Sequence, residues 1–359
     1  MRILFYINAI HQGGAERVMV NLAKQFAEKG DEVCLVTSLH ENWEYPVSEH
    51  VRRISFEEKG YVKEGFVKQN IQWIKKLRKV TREINPDVII SFMAEPNFRT
   101  ILATWGLKCK TIISVRGEPI QEYPNKVYRM LAKSLYLFAS GVVFQTEDAQ
   151  KWFSGRIQKK SEIIYNQVDE KFYNCAINEE RKDIVTCGRL VELKNQKMLI
   201  DAFARISDEV AADLYIYGEG HLRAALESQV KRLNLEKRVF LPGDITAVEK
   251  MLSKAALFVL PSDSEGMPNA LMEAMAVGVP CISTDCPCGG PRMLFQGDEE
   301  GLIPVGDVDA LAEKLREFVL DKNRCKEQGE KMKAYALEFT PERIFKKWDD
   351  YVNAVVKSK

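Results

Sequence analysis

Two carboxylates eight positions apart, Glu265 and Glu273, flank the start of an apolar segment in the run PSDSEGMPNALMEAMAVGVP at residues 261–280. Pro268 suits the first turn of a helix, where its missing N–H goes unused. Ala270, Leu271, Met272, Ala274, Met275 and Ala276 then surround Glu273 with apolar neighbours. A helix that is apolar all round is buried, and a carboxylate on it is costly unless something pairs with it. Glu265 precedes the helix beside Gly266, where the backbone can come close to a ligand. The stretch Gly266, Met267, Pro268 and Asn269 turns the helix start toward an anion, a setting suited to phosphate. Two hydroxyl acceptors beside one phosphate site would fit a sugar nucleotide. A buried helix with one internally satisfied glutamate is the alternative reading of the same residues.

Further residues suit the same chemistry. In Cys187-Gly188-Arg189-Leu190-Val191-Glu192-Leu193-Lys194-Asn195, Arg189 and Lys194 sit in a loop after a glycine. Such a pair can converge on a diphosphate, with the guanidinium able to bind in bidentate fashion. Gly13-Gly14-Ala15-Glu16 joins a strand to a helix; it is not a dinucleotide fingerprint, and no acid ends the next strand where a dinucleotide ribose would need one. Its glycines permit close approach to a phosphate or sugar, or simply a tight turn. Tyr217-Gly218-Glu219-Gly220 forms a similar strand end. Asp263 and Glu265 resemble an acidic metal pair, but Arg189 and Lys194 already supply positive charge, so no metal is expected.

The run from Glu265 to Pro280 resembles the E-x7-E signature of glycosyltransferase family 4, in the frame EG-x-PN-x-x-x-EAMA-x-G-x-P. Gly188 to Asn195 resembles that family's G-R-x-x-x-x-K-N element, and Asp285-Cys286-Pro287-Cys288-Gly289-Gly290-Pro291 the T-D-C-P-x-G-G-P turn of its polysaccharide-assembly members. The resemblance implies a GT-B fold and a retaining sugar transfer. The donor would be a nucleoside diphosphate sugar, with UDP the expected nucleotide, and no separate cofactor. It further implies that Arg189 and Lys194 neutralise the leaving diphosphate, that Glu273 accepts from the ribose and Glu265 from the donor sugar, and that Gly13 and Gly14 lie beside the donor. Backbone near Gly218 and from Gly243 to Ile245 would hold the base. Many relatives carry a histidine where this chain has Arg116, which could hold an anionic group of donor or acceptor instead.

These residues need a scaffold that brings strand ends together. Strand-like runs alternate with helical patterns throughout, the mark of parallel α/β architecture. The first series comprises Ile3–Asn8, Glu32–Thr37, Asp87–Ser91, Thr111–Val115 and Gly141–Gln145, with a weaker run near Arg53–Phe56. Between them, Ala15 to Lys29 has a helical apolar face and Gly30 in the usual stop position. SEIIYNQVD, Ser161–Asp169, leaves this series. The second comprises Asp183–Cys187, Asp213–Tyr217, Arg238–Leu241, Leu257–Leu260 and Cys281–Thr284. The fold expected is therefore GT-B: two Rossmann-like, doubly wound domains facing an interdomain cleft, each with ligand sites at the carboxyl ends of its strands. Residues 1–165 with 341–359 would form the acceptor-side domain and 166–340 the nucleotide-sugar domain, the C-terminal helix crossing back as the resemblance implies.

Composition agrees with two ordinary globular domains: 359 residues, 46% hydrophobic and 29% charged. A net charge of +1 speaks against nucleic acid as a partner, and no apolar run reaches the roughly 18–20 residues of a membrane span. The eight cysteines are scattered without zinc-site spacing, as expected of reduced thiols in a cytoplasmic protein. Lys68–Arg82 and Asn125–Phe138 mix cations with apolar and aromatic residues, a pattern that lies readily on anionic membranes. A lipid-linked glycan acceptor, polyprenyl-borne, at the inner face of a bacterial membrane would explain both. Two rival functions share the architecture: a sugar-nucleotide epimerase and a catalytically silent partner subunit.

Overall fold

Residues 3–7, ILFYI, carry no charge, so a strand there must be covered on both faces, as in a parallel sheet between helices. In the computed structural model, which describes residues 1–358 other than Gln12, Asn42, 58–64, Glu179, Gly297 and Asp298, this segment is β1 (Arg2–Ile7). It lies within a parallel seven-stranded sheet with β2 (Glu32–Leu39), β3 (Val51–Glu57), β4 (Val88–Phe92), β5 (Lys110–Ser114), β6 (Gly141–Phe144) and β7 (Ser161–Ile163). The order is β3-β2-β1-β4-β5-β6-β7.

Side-chain alternation divides β1 between two cores. Ile3, Phe5 and Ile7 pack with helix α1 (Gly14–Glu28). Leu4 and Tyr6 face Leu77 of α2 (Phe66–Ile84) and Ala103 of α3 (Ala94–Thr104). Gly30, with φ of +99°, follows α1, a left-handed conformation that glycine adopts without strain.

After the second series of strands, the chain returns to the first sheet. The helix Pro341–Lys357 adds Ile344, Trp348, Val352 and Val355 to the β1–α1 core. Their spacing puts all four on one helical face. Trp348 stacks on Phe92 at 5.8 Å. The Tyr351 hydroxyl accepts from the Val142 N–H at 2.8 Å and donates to the Lys160 carbonyl at 2.6 Å. Residues 1–166 with 342–359 form one compact unit and residues 167–341 a second.

The second unit is a parallel sheet of β8 (Asp183–Cys187), β9 (Leu214–Tyr217), β10 (Val239–Gly243), β11 (Ala255–Leu260), β12 (Cys281–Thr284) and β13 (Leu302–Ile303). The order is β10-β9-β8-β11-β12-β13. Ile184, Ile216, Leu257, Val259 and Ile282 build its core with Leu199 and Phe203 of the helix Gln196–Ile206.

Two strands go beyond the sequence reading. SEIIYNQVD, expected only as an exit from the first series, begins with β7, and β13 was not anticipated. Both are edge strands of three and two residues, too short to show a period. In each sheet the order reverses direction once, between β1 and β4 and between β8 and β11. Loops diverge there and leave a crevice at the carboxyl ends of the strands.

Candidate functional site

Both switch-point loops of the second unit carry the residues singled out by chemistry. The loop after β8 holds Arg189, Lys194 and Asn195; the loop after β11 holds Asp263, Glu265 and Gly266. Lys194 Nζ donates to Glu265 Oε1 at 2.5 Å, and the two side chains are 24% and 12% exposed. Ser262 Oγ donates to the same oxygen at 2.7 Å. Beside this pair, Asn195 Nδ2 donates to Asp263 Oδ1 at 2.6 Å and the Asp263 N–H to the Leu193 carbonyl at 2.9 Å. Asn195 has φ of +43° and also caps the next helix through Met198 N–H, two tasks that its short amide can perform together. The Arg189 side chain is exposed, and among the described residues no carboxylate forms an ion pair with it. The loops therefore meet as one unit that carries an exposed guanidinium.

The helix after this loop spans Asn269–Val277, with Pro268 at its N-cap and not inside the first turn. Proline's φ of −77° suits either place; its ψ of 104° keeps it outside the helix. The helix is buried from Leu271 to Val277, and Glu273 is 6% exposed among these apolar neighbours. Met267 is buried below the loop, while Gly266 and Asn269 remain partly accessible.

Close backbone approach explains two glycines. Gly218, at the end of β9, has φ of +129°, and a Cβ there would overlap the Gly188 carbonyl oxygen. The Gly218 N–H donates to the Gly243 carbonyl at 2.9 Å, so the ends of β8, β9 and β10 are tied edge to edge. Ile245 lies half-buried just beyond. A Cβ on Gly290 would overlap the Gly266 carbonyl oxygen. The turn after β12, read from sequence only as family support, thus braces the Glu265–Gly266 loop from beneath. Thr284 Oγ1 adds a 2.5 Å bond to the Ser262 carbonyl. Cys286 lies beside Glu265, and its thiol is pushed up to about 12 by burial and then by that charge, which keeps it protonated and unreactive. None of the eight cysteines forms a disulfide.

The remaining candidates lie in the first unit. Gly13 is the N-cap of α1 and Gly14 its first residue; a Cβ on Gly13 would overlap the Glu16 carboxylate. Arg116 follows β5. Its guanidinium stacks on Phe92 at 4.4 Å and donates to Asn166 Oδ1 and, at 3.4 Å, to Ser114 Oγ. Burial lowers it to about 9 against the opposing pull of Glu122 and Glu16. Glu122, which the sequence reading passed over, accepts the Arg116 and Gly117 N–H groups at 3.1 and 2.9 Å. Burial pushes its carboxyl up to about 7.

Among the described residues, no group of three or more His, Cys, Asp or Glu is placed to hold a metal ion, and no helix is long and apolar enough to cross a membrane. On α2, Trp73 and Leu77 face inward, while Lys76 pairs with Glu57 at 2.6 Å and Arg78 donates to the Ala103 and Trp105 carbonyls. Phe66, Val67, Ile71, Lys75 and Lys79 face outward, as do Lys126, Val127 and Met130 on the helix Lys126–Leu135.

Two parallel-sheet Rossmann-like units are the architecture of GT-B glycosyltransferases. The chain superimposes on sucrose-phosphate synthase from Thermosynechococcus elongatus with a TM-score of 0.85, at 18% identity, covering 99% of this chain and 98% of that one. Anabaena HepE, solved in complex with UDP and glucose, gives 0.82 at 19% identity over 99% and 100% of the two chains. Residues 12–172 match the family described as Glycosyltransferase Family 4, and residues 167–336 match Glycosyl transferases group 1. The chain belongs to the family 4 type of glycosyltransferase. A curated relative from Campylobacter jejuni, an alpha-1,4-N-acetyl-D-galactosaminyltransferase acting on an undecaprenol-diphosphate-linked glycan, is 29% identical over 97% of both chains.

The brace beneath Gly266 has a measurable consequence. Gly290→Ala is expected to lower the stability of the second unit by about 1–3 kcal/mol, the usual range for overpacking a tight site. Thermal denaturation followed by circular dichroism reads this, and an unchanged midpoint would show that the two backbones do not touch.

Proposed function

We propose that this protein is a retaining glycosyltransferase that moves a sugar from a nucleoside diphosphate, with UDP the expected carrier, to a lipid-linked glycan in bacterial cell-surface polysaccharide synthesis. One observation carries the reading: Lys194 and Glu265 meet at the β8/β11 switch point, with Arg189 exposed on the same loop and a helix start adjoining. Loss of the diphosphate creates positive charge at the sugar's anomeric carbon and negative charge on the departing phosphate. Arg189, Lys194 and the backbone at Gly266–Asn269 stabilise that phosphate by preorganised electrostatics. Glu273 accepts from the ribose hydroxyls, and Glu265 hands Lys194 to the phosphate as it turns to the donor sugar. The bond from the anomeric carbon to the phosphate oxygen breaks on the face where the acceptor oxygen bonds, and the departing phosphate takes the acceptor's proton. No protein nucleophile and no divalent ion enter this scheme. The Campylobacter relative's undecaprenol-linked substrate supports a lipid-linked acceptor for the first unit, and the first unit's outward apolar and basic residues support contact with an anionic membrane at its cytoplasmic face.

Lys194→Ala is expected to reduce turnover by about two or more orders of magnitude, the loss of one transition-state donor, while EDTA leaves transfer intact. Glu273→Gln weakens UDP binding by calorimetry; Glu265→Gln lowers turnover without weakening it. Near-normal activity in the Arg189/Lys194 double alanine variant, or equal loss of UDP affinity in both glutamate variants, would contradict these roles.

For the membrane, neutralising Lys75, Lys79 and Lys126 is expected to weaken binding to anionic vesicles by about 1 kcal/mol per residue. Equal binding of variant and wild type to anionic and neutral vesicles would leave these lysines as a solvated surface.

A further inference from the structure

Arg189 and Lys194 leave the same loop, yet the fold holds them in different ways. Lys194 is fixed at its tip by Glu265. The Arg189 side chain is exposed, with no carboxylate paired to it among the described residues. Whatever aims its guanidinium must therefore act through the backbone that carries it.

That backbone is fixed at one peptide, the link between Arg189 and Leu190. The Leu190 N–H donates to the Glu219 carbonyl at 2.9 Å, and the Leu190 carbonyl accepts from the Leu222 N–H at 3.2 Å. The Leu190 side chain is fully buried in the core of the second unit. On the opposite edge of the same peptide, the Arg189 carbonyl accepts from the Val191 N–H and from Gln196 Nε2, both at 3.0 Å. A planar peptide held at its N–H and at its carbonyl has little freedom to swing. Its plane sets the direction in which the Arg189 side chain leaves the loop.

Gln196 supplies the side-chain bond in this set; the other partners are backbone groups. It opens the helix Gln196–Ile206 directly after the Asn195 cap, and it is 3% exposed. Its Nε2 reaches the Arg189 carbonyl, while its Oε1 is buried without a hydrogen-bond partner among the described residues. A buried acceptor left unpaired is costly, and an apolar side chain of equal length would avoid that cost. What the chain gains in return is the bond to Arg189.

We propose that Gln196 is a positioning residue for the donor diphosphate: its amide, acting through the peptide between Arg189 and Leu190, aims the Arg189 guanidinium at the phosphates. The inference rests on the glycosyltransferase reading, in which Arg189 meets the leaving diphosphate.

NMR titration of the full chain with UDP and with uridine, beside thermal denaturation, tests it. Arg189→Ala is expected to weaken UDP binding roughly tenfold or more, as for the loss of a hydrogen bond to a charged group. Gln196→Met matches the glutamine in length and brings no unpaired oxygen. It weakens UDP roughly fivefold, within the range by which touching residues couple, and the melting temperature does not fall. Uridine, which carries no phosphate, binds this variant and the wild type equally. Added to Arg189→Ala, Gln196→Met changes UDP affinity no further. Gln196→Leu carries the same expectations should Gln196→Met fail to fold. Unchanged UDP affinity in the Gln196 variant, equal weakening of UDP and uridine, or the same further loss in the Arg189→Ala background would overturn the positioning role and leave the donor reading standing. Unchanged UDP affinity in Arg189→Ala, or no UDP binding by the wild type, would overturn the donor reading and this role with it.

Discussion

The ion pair between Lys194 and Glu265 is the contact on which the donor-side arrangement depends. It joins loops that leave adjacent strands β8 and β11, 71 positions apart in sequence. A partly buried lysine and glutamate each carry a desolvation cost, which the 2.5 Å contact and the Ser262 hydroxyl offset. Such a pair is retained more readily for what it positions than for net stability. Here it keeps a cation beside a helix start and ties the two loops together.

Everything around the pair limits its freedom. Asn195 and Asp263 form a second link between the same loops. Thr284 holds the Ser262 carbonyl, and Gly290 lies against Gly266. The first unit repeats the principle with other residues. A buried arginine, Arg99, fixes Glu95 at the β1/β4 switch point, and Phe92 and Asn166 hold Arg116 nearby in sequence and sheet order. In both units the sheet supplies the crevice and a charged pair fixes its lining.

Much of this was legible in sequence. The long strands announced themselves through uncharged runs, and the Glu265–Glu273 element through a carboxylate set in an apolar helix. The parts that stayed hidden share a cause: they exist only as contacts between distant segments. Nothing local marks Gly290 as the brace of Gly266, or Arg99 and Tyr128 as partners of Glu95. Nothing local marks Glu122 either, because its burial comes from the turn that folds it back on Arg116 and Gly117. Lys76 and Arg78 read as members of a basic face, whereas carboxylate and carbonyl partners from neighbouring segments hold them. The weak signal that could have led to the Glu95–Arg99 pair was an acid and an arginine four apart on α3, directly after an uncharged strand.

The most direct test of the donor site is a crystal structure of the chain with UDP. The account predicts diphosphate at the start of the helix Asn269–Val277, Lys194 Nζ moved from Glu265 to a phosphate oxygen, Arg189 on the same phosphates and Glu273 on the ribose. UDP bound elsewhere, with Lys194 still on Glu265 and Arg189 in solvent, would contradict it.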